Sequence, residues 1–322
     1  MTASENFRAV MNAQSSMKNI GYWKEHYVIE TDADEIERNS KLTHFVSDGK
    51  SFELLYFEKG KDAPNILISQ GSAGHSRVFA ELGYLMHLQG YNVFIMPKHG
   101  GYTISKLVAR HKDALQHILT KFNDKIGVYA EGLGGYATFY LALAHGPMKS
   151  MVLENAPAIL TEKKFHIALF EGKEHAAERR KKLLPLIKIL AKLFPRMTLP
   201  ISVYLDFSEL IDTKQENREI ERRLVESFLK DPDFDRRYPL SAIMSLVSTS
   251  PPNPLSVLKV PTMLLVAKRG LFASYLKDLY GQLPDIEKRL VEVDGGVFWM
   301  CSHKKEAVRV ICGWFDKTLK LA

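Results

Sequence analysis

The sequence predicts an α/β protein built on a mostly parallel central sheet with flanking helices and one inserted helical cap. Two observations carry that expectation. Short apolar runs alternate with segments of helical periodicity along the first half of the 322-residue chain and again at its end. The alternation stops between about 160 and 258, where helical patterning and proline breaks take over. With 46% hydrophobic residues there is enough apolar material for a substantial core.

The elements follow in order. Ser51–Glu58 alternates like an early, half-exposed strand, and Asn65–Ser69 is a short apolar strand ending in Gln70-Gly71-Ser72. A helix is expected over Ala80–Gln89, stopped by Gly90, then a strand over Tyr91–Met96. Ile104–Phe122 places Leu107, Val108, Ala114, Leu115, Ile118 and Leu119 at helical spacing. Ile126–Ala130 reads as a strand, Glu131–Gly135 as a sharp turn, Tyr136–Ala144 as a helix and Ser150–Glu154 as a strand. After the insertion come a strand at Thr262–Ala267, a helix at Tyr275–Leu283, a strand at Lys288–Val293 and a closing helix at Lys305–Leu319. The division this implies is 1–159 for the first part of the core, 160–258 for the cap and 259–322 for the rest of the core.

Charge and cysteines narrow the classes. The net charge of +7 is concentrated, with ten Lys/Arg against four Asp/Glu between Thr161 and Pro200, which argues against nucleic acid as a partner. Two cysteines, Cys301 and Cys312, give neither a disulfide framework nor zinc spacing, and suit a reducing compartment. Met1–Ala13 is polar, and no stretch approaches the roughly 18 apolar residues of a membrane span, so a cytoplasmic location is expected. No phosphate loop, H-E-x-x-H or dinucleotide motif in a fitting context is present, so neither a cofactor nor a metal is expected.

At Ala130-Glu131-Gly132-Leu133-Gly134-Gly135, between a strand and a helix, the chain resembles the α/β-hydrolase superfamily, whose elbow reads G-x-S-x-G. Val260-Pro261 before the strand of Thr262–Val266 is similar to the approach to that family's penultimate strand, and the likeness covers about 45 to 320. The resemblance implies a nucleophile at Gly132, an acid at Gly270 in Ala267-Lys268-Arg269-Gly270, and a base at Val297 (or Phe298) after Gly295-Gly296. None of these has a hydroxyl, carboxylate or imidazole, so conventional serine-hydrolase chemistry is not expected. In this it is similar to hydrolase-fold proteins without the triad, such as the N-myc downstream-regulated family and plant hormone receptors.

The resemblance also implies where a ligand would sit. The amides of Leu133 and Ser72 are a candidate anion-accepting pair, with Gln70, Gly71 and Glu131 beside them. An alternative constellation would use His75 or His99 as base and Glu154 as acid; each also has a plain structural reading, as loop histidines and a strand-end cap. Glu131 is expected to support the elbow. Cys301 and His303 are read as a partly buried small side chain and a residue before the last helix.

In the insertion, Arg179–Phe194 places Leu183, Ile187, Leu190 and Phe194 on one helical face, with Lys188 and Lys192 apart and Pro185 in a first turn. That pattern suits a cap helix over the core or peripheral contact with an anionic membrane. Asn217–Lys230 alternates charges as an exposed helix would, and Asp231-Pro232 ends it. The expected function is binding of a small acyl- or lipid-like molecule between core and cap. The alternatives are an enzyme of lyase, isomerase or cyclase type, or a divergent ester or thioester hydrolase whose catalytic residues lie elsewhere.

Overall fold

The computed structural model describes residues 30–72, 74–99, 101–168, 185–200 and 207–320. Among them an eight-stranded sheet runs through the molecule. Its strands are β1 (Ser40–Ser47), β2 (Lys50–Phe57), β3 (Asn65–Ser69), β4 (Asn92–Ile95), β5 (Ile126–Glu131), β6 (Ser150–Glu154), β9 (Thr262–Ala267) and β10 (Lys288–Val293). In space the order is β1-β2-β4-β3-β5-β6-β9-β10. β1 and β2 are antiparallel to each other and β2 to β4; every other neighbouring pair is parallel.

Strands β3, β4, β6 and β9 are buried along their whole length, as strands covered by helices on both faces must be. Alternate residues feed two cores. On β5, Val128 and Ala130 pack with α3 (Ile104–Lys121) and α4 (Gly132–Leu143), while Tyr129 faces α2 (Ala80–Leu88) and α11 (Lys304–Phe315). α3 opens at Thr103, whose Oγ1 accepts from the Lys106 amide.

Several expectations are corrected. The turn expected over Glu131–Gly135 is already helical: α4 begins at Gly132, directly on the end of β5. β1, α1 (Ala33–Asn39) and α10 (Trp299–Ser302) were not expected, nor was the ribbon of β7 (Thr198–Pro200) and β8 (Arg237–Pro239) within the insertion. Helix α7 (Gln215–Lys230) is not merely an exposed, charged helix, because Asn217, Glu221, Leu224, Val225 and Phe228 form a buried face. Residues 185–193 are helical, but Phe194 is 55% exposed, so the face expected to pack inward does not do so throughout. Leu183 and the cations 179–182 lie outside the described residues. No described helix is long and apolar enough to cross a membrane.

Candidate functional site

The carboxyl ends of β3, β5, β6, β9 and β10 converge where α4 starts. Gly132 has φ +47°, in the left-handed region that favours glycine, and this turns β5 into α4 without a connecting loop. The helix then passes very close to the sheet. A Cβ on Gly134 would lie 2.3 Å from Ser69 Oγ, and one on Gly135 2.3 Å from the Ala156 Cβ. The amide of Gly134 donates to the Gln70 carbonyl at 3.1 Å, tying the helix start to the β3 loop. At Gly132 itself there is room: its would-be Cβ meets only the Gly71 Cα, at 3.5 Å.

Glu131 folds over Gly71. A Cβ on Gly71 would come within 2.1 Å of Glu131 Oε1, so a side chain there would displace the Glu131 carboxyl. Burial raises the Glu131 carboxyl to about 7, with the Gly71 amide acting in the opposite direction. The expected pairing of Leu133 and Ser72 amides around a ligand therefore has a carboxyl from the protein itself beside it. Leu133 is buried, and the Ser72 carbonyl accepts the Tyr238 hydroxyl of β8, so the insertion touches this loop directly. Gln70 is fully buried and turned away, its Nε2 donating to the Met96 carbonyl at 2.8 Å.

Glu154 is the register partner of Glu131 on the adjacent parallel strand, so the two carboxyls share one face of the sheet. It is completely buried and accepts the Tyr129 hydroxyl at 2.6 Å. Burial drives its carboxyl up to about 8; the Tyr129 hydroxyl and the Met300 amide oppose this, while the nearby Glu131 adds to it. Above the pair sits α10, where burial pushes the Cys301 thiol well above its usual range and Glu131, Glu154 and Glu221 push the same way. Such a thiol stays protonated and is a poor nucleophile. His303 does not pair with it; its ring stacks on Trp299 and its Nδ1 meets Ser302 Oγ at 3.0 Å.

The two histidines singled out in the sequence lie in separate groups. His75 Nε2 is 2.7 Å from Asp231 Oδ2, a partner 156 residues away in the insertion, and its Nδ1 accepts from the Arg77 amide. His75 thus ties core to cap. His99 is buried with His111 around Ser69. His111 Nδ1 donates to the Leu107 carbonyl at 2.7 Å, so its Nε2 must accept from Ser69 Oγ at 2.6 Å. The Ser69 oxygen then accepts from His99 Nε2 at 2.8 Å. Both rings are held neutral by burial, His111 down to about 4 and His99 well below its usual value. Glu154 bonds to neither histidine, so the alternative base–acid constellation is not assembled: its members belong to three different hydrogen-bond groups.

Nothing local in the chain marks Asn155. It stands at the end of β6 with φ +45°. Its Oδ1 accepts from the Ala267 amide at 3.3 Å and its Nδ2 donates to the Val297 carbonyl at 3.4 Å. A Cβ on Gly270 would lie 2.8 Å from that same Oδ1. One amide therefore spans the space between Gly270 and Val297. Beside it Gly296 is pressed under the insertion, its would-be Cβ 3.2 Å from the Asp212 Cα and from Glu221 Oε2. Arg269 fixes that contact with a two-pronged pair to buried Asp212, at 2.5 and 2.9 Å, and a further bond to Asp294. Among the described residues no group of three or more His, Cys, Asp or Glu is arranged to hold a metal, and both cysteines are free.

This architecture is the α/β-hydrolase fold. DcsB, solved in complex with its substrate analogue, matches over 87% of this chain and 99% of its own, with a TM-score of 0.65 and 15% identity. The α/β hydrolase GrgF from Penicillium sp. sh18 gives the same coverage and TM-score at 14% identity. A monoacylglycerol lipase from Paleococcus ferrophilus matches over 86% of this chain and 99% of its own, at a TM-score of 0.60 and 16% identity. No protein-family model and no curated protein matches the sequence.

Proposed function

We propose that this chain uses the α/β-hydrolase fold to bind a small acyl- or lipid-like molecule at the junction of core and cap, without hydrolysing it through a serine–histidine–acid relay. The observation that carries the reading is the Asn155 bridge: a neutral side chain fills the space between Gly270 and Val297, where the resemblance would place the acid and the base. The commitments of His75 to Asp231 and of His99 to Ser69 support it, because the Nε2 of each ring is already hydrogen-bonded within the protein. In this reading the protein is a pseudoenzyme. The acyl ligand class follows the fold's neighbours, among which a lipase and an esterase appear.

A second reading is favoured by the Glu131–Glu154 pair. Two carboxyls with raised proton affinity on one sheet face, Glu154 buried and Glu131 half-buried, are groups suited to moving a proton, as a lyase, isomerase or cyclase requires.

The test combines a fluorophosphonate probe, ester turnover and ligand recovery. Wild type should stay unlabelled beside a competent serine hydrolase. Gly132→Ser, for which there is space at the cost of a backbone strained by φ +47°, should turn over p-nitrophenyl butyrate no faster than wild type. Organic extraction of purified protein should yield an acyl compound by mass spectrometry. Labelling of wild type, or rapid turnover by Gly132→Ser, would overturn the reading. A proton-transfer activity abolished by both Glu131→Gln and Glu154→Gln would replace it with the second.

A further inference from the structure

The insertion carries an apolar surface that the ligand-binding reading does not use. Ten large hydrophobic side chains are exposed among the described residues, and five of them fall within twelve positions: Leu186, Ile189, Leu193, Phe194 and Met197. Leu186, Ile189 and Leu193 follow i, i+3, i+7 spacing, so they form one outward stripe on the helix over 185–193. Ile187, Leu190 and Ala191 are half-buried and form its inner side. The stripe stands on a fixed base. The Leu240 amide donates to the Met197 carbonyl at 2.8 Å, the Ser241 amide to the Pro195 carbonyl at 3.1 Å, and β7 pairs with β8 directly afterwards.

Charge identifies the occupant. Between 185 and 200 there are three cations, Lys188, Lys192 and Arg196, and no acidic residue. Lys188 and Lys192 are one turn apart and border the stripe. A second copy of the same surface would set these cations against their own kind in a two-fold contact. The chain's own residues 1–29 offer no complement, having three Lys/Arg and two Glu. An apolar stripe edged by cations matches a bilayer surface that presents anionic headgroups over acyl chains.

We propose that the 185–197 face docks this protein on anionic lipid membranes, with Leu186, Ile189, Leu193 and Phe194 entering the headgroup–acyl boundary and Lys188, Lys192 and Arg196 meeting the headgroups. The inference stands apart from the identity of any ligand in the site, since none of these residues belongs to the elbow region.

Co-sedimentation of the full chain with vesicles tests it. The chain should bind vesicles of 70% phosphatidylcholine and 30% phosphatidylserine more tightly than phosphatidylcholine alone, and should weaken as salt rises. Lys188→Ala/Lys192→Ala should bind about 25-fold more weakly, from roughly fivefold for each cation at the surface. Ile189→Ser/Leu193→Ser should also lose binding, and because both side chains are exposed its thermal melt should match wild type. Absence of binding to the anionic vesicles, or binding unchanged in both variants, overturns the proposal. So does a wild-type dimer by light scattering that Ile189→Ser/Leu193→Ser converts to monomer, which would make a second copy the occupant.

Discussion

Replacing Glu154 with glutamine should flatten the alkaline side of the protein's stability profile. The carboxyl is completely buried and carries a folded value of about 8 against 4.5 for an ordinary glutamate. A raised value means that the folded state holds the proton more tightly than the unfolded chain. The stability this provides is full below about 4.5 and is lost as pH rises through about 8. The difference, 8 minus 4.5, corresponds to on the order of 5 kcal/mol. Against a total stability of roughly 5–15 kcal/mol, that is enough to make the wild type markedly fragile at pH 9. Glu131, raised to about 7 by burial, acts in the same direction, and its charge raises Glu154 further.

Glu154→Gln keeps an acceptor for the Tyr129 hydroxyl and cannot ionise. Urea denaturation at pH 4.5, 7 and 9 should therefore show the variant within about 1 kcal/mol of wild type at the lowest pH. At pH 9 it should be the more stable of the two by several kcal/mol. A fall in stability between pH 6 and 9 that is equally steep in both proteins would refute the argument.

On the acid side the sign reverses. His111 has its folded value depressed by burial to about 4 from 6.5, so its contribution is present above 6.5 and lost as pH falls through 4, on the order of 3 kcal/mol. His111→Gln should lessen that acid slope in the same urea series. Gly71→Ala should destabilise by about 1–3 kcal/mol, because its Cβ would fall 2.1 Å from Glu131 Oε1. Removing that carboxyl in Gly71→Ala/Glu131→Ala should recover much of the loss, and a strictly additive double-mutant cycle would count against the clash.

The sheet was legible because of how it is covered. Asn65–Ser69, Ser150–Glu154, Thr262–Ala267 and Lys288–Val293 are found where the apolar runs put them. Strand β1 escaped because its polar residues mask an edge strand: only Phe45 and Ser47 are buried along it. α10 is four residues long, too short for any period to show. At the site, Gly132, Glu131 and Glu154 could be pointed to from the sequence, and the register pairing of the two glutamates follows once β5 and β6 are known to be neighbours. His75–Asp231 and Asn155–Val297 could not, since their partners are 156 and 142 residues apart and nothing local marks them.

The Asn155 bridge also bears on whether Gly270 and Val297, where the resemblance would place an acid and a base, can be changed independently. An aspartate at Gly270 must place its Cβ 2.8 Å from Asn155 Oδ1, 3.0 Å from the Ala267 Cβ and 3.1 Å from the Ala267 carbonyl. Gly270 is thus closed to a side chain by the residue that also holds the Val297 carbonyl, and a change at one disturbs the other. A variant with Gly132→Ser, Val297→His and Gly270→Asp should then fold poorly and react slowly with a fluorophosphonate probe. Adding Asn155→Gly should relieve the contact at Gly270, and the positive φ at this position favours glycine. The fourfold variant should therefore label faster than the threefold one. If the threefold variant with Asn155 intact labels as fast, the asparagine is not what closes Gly270 to a side chain.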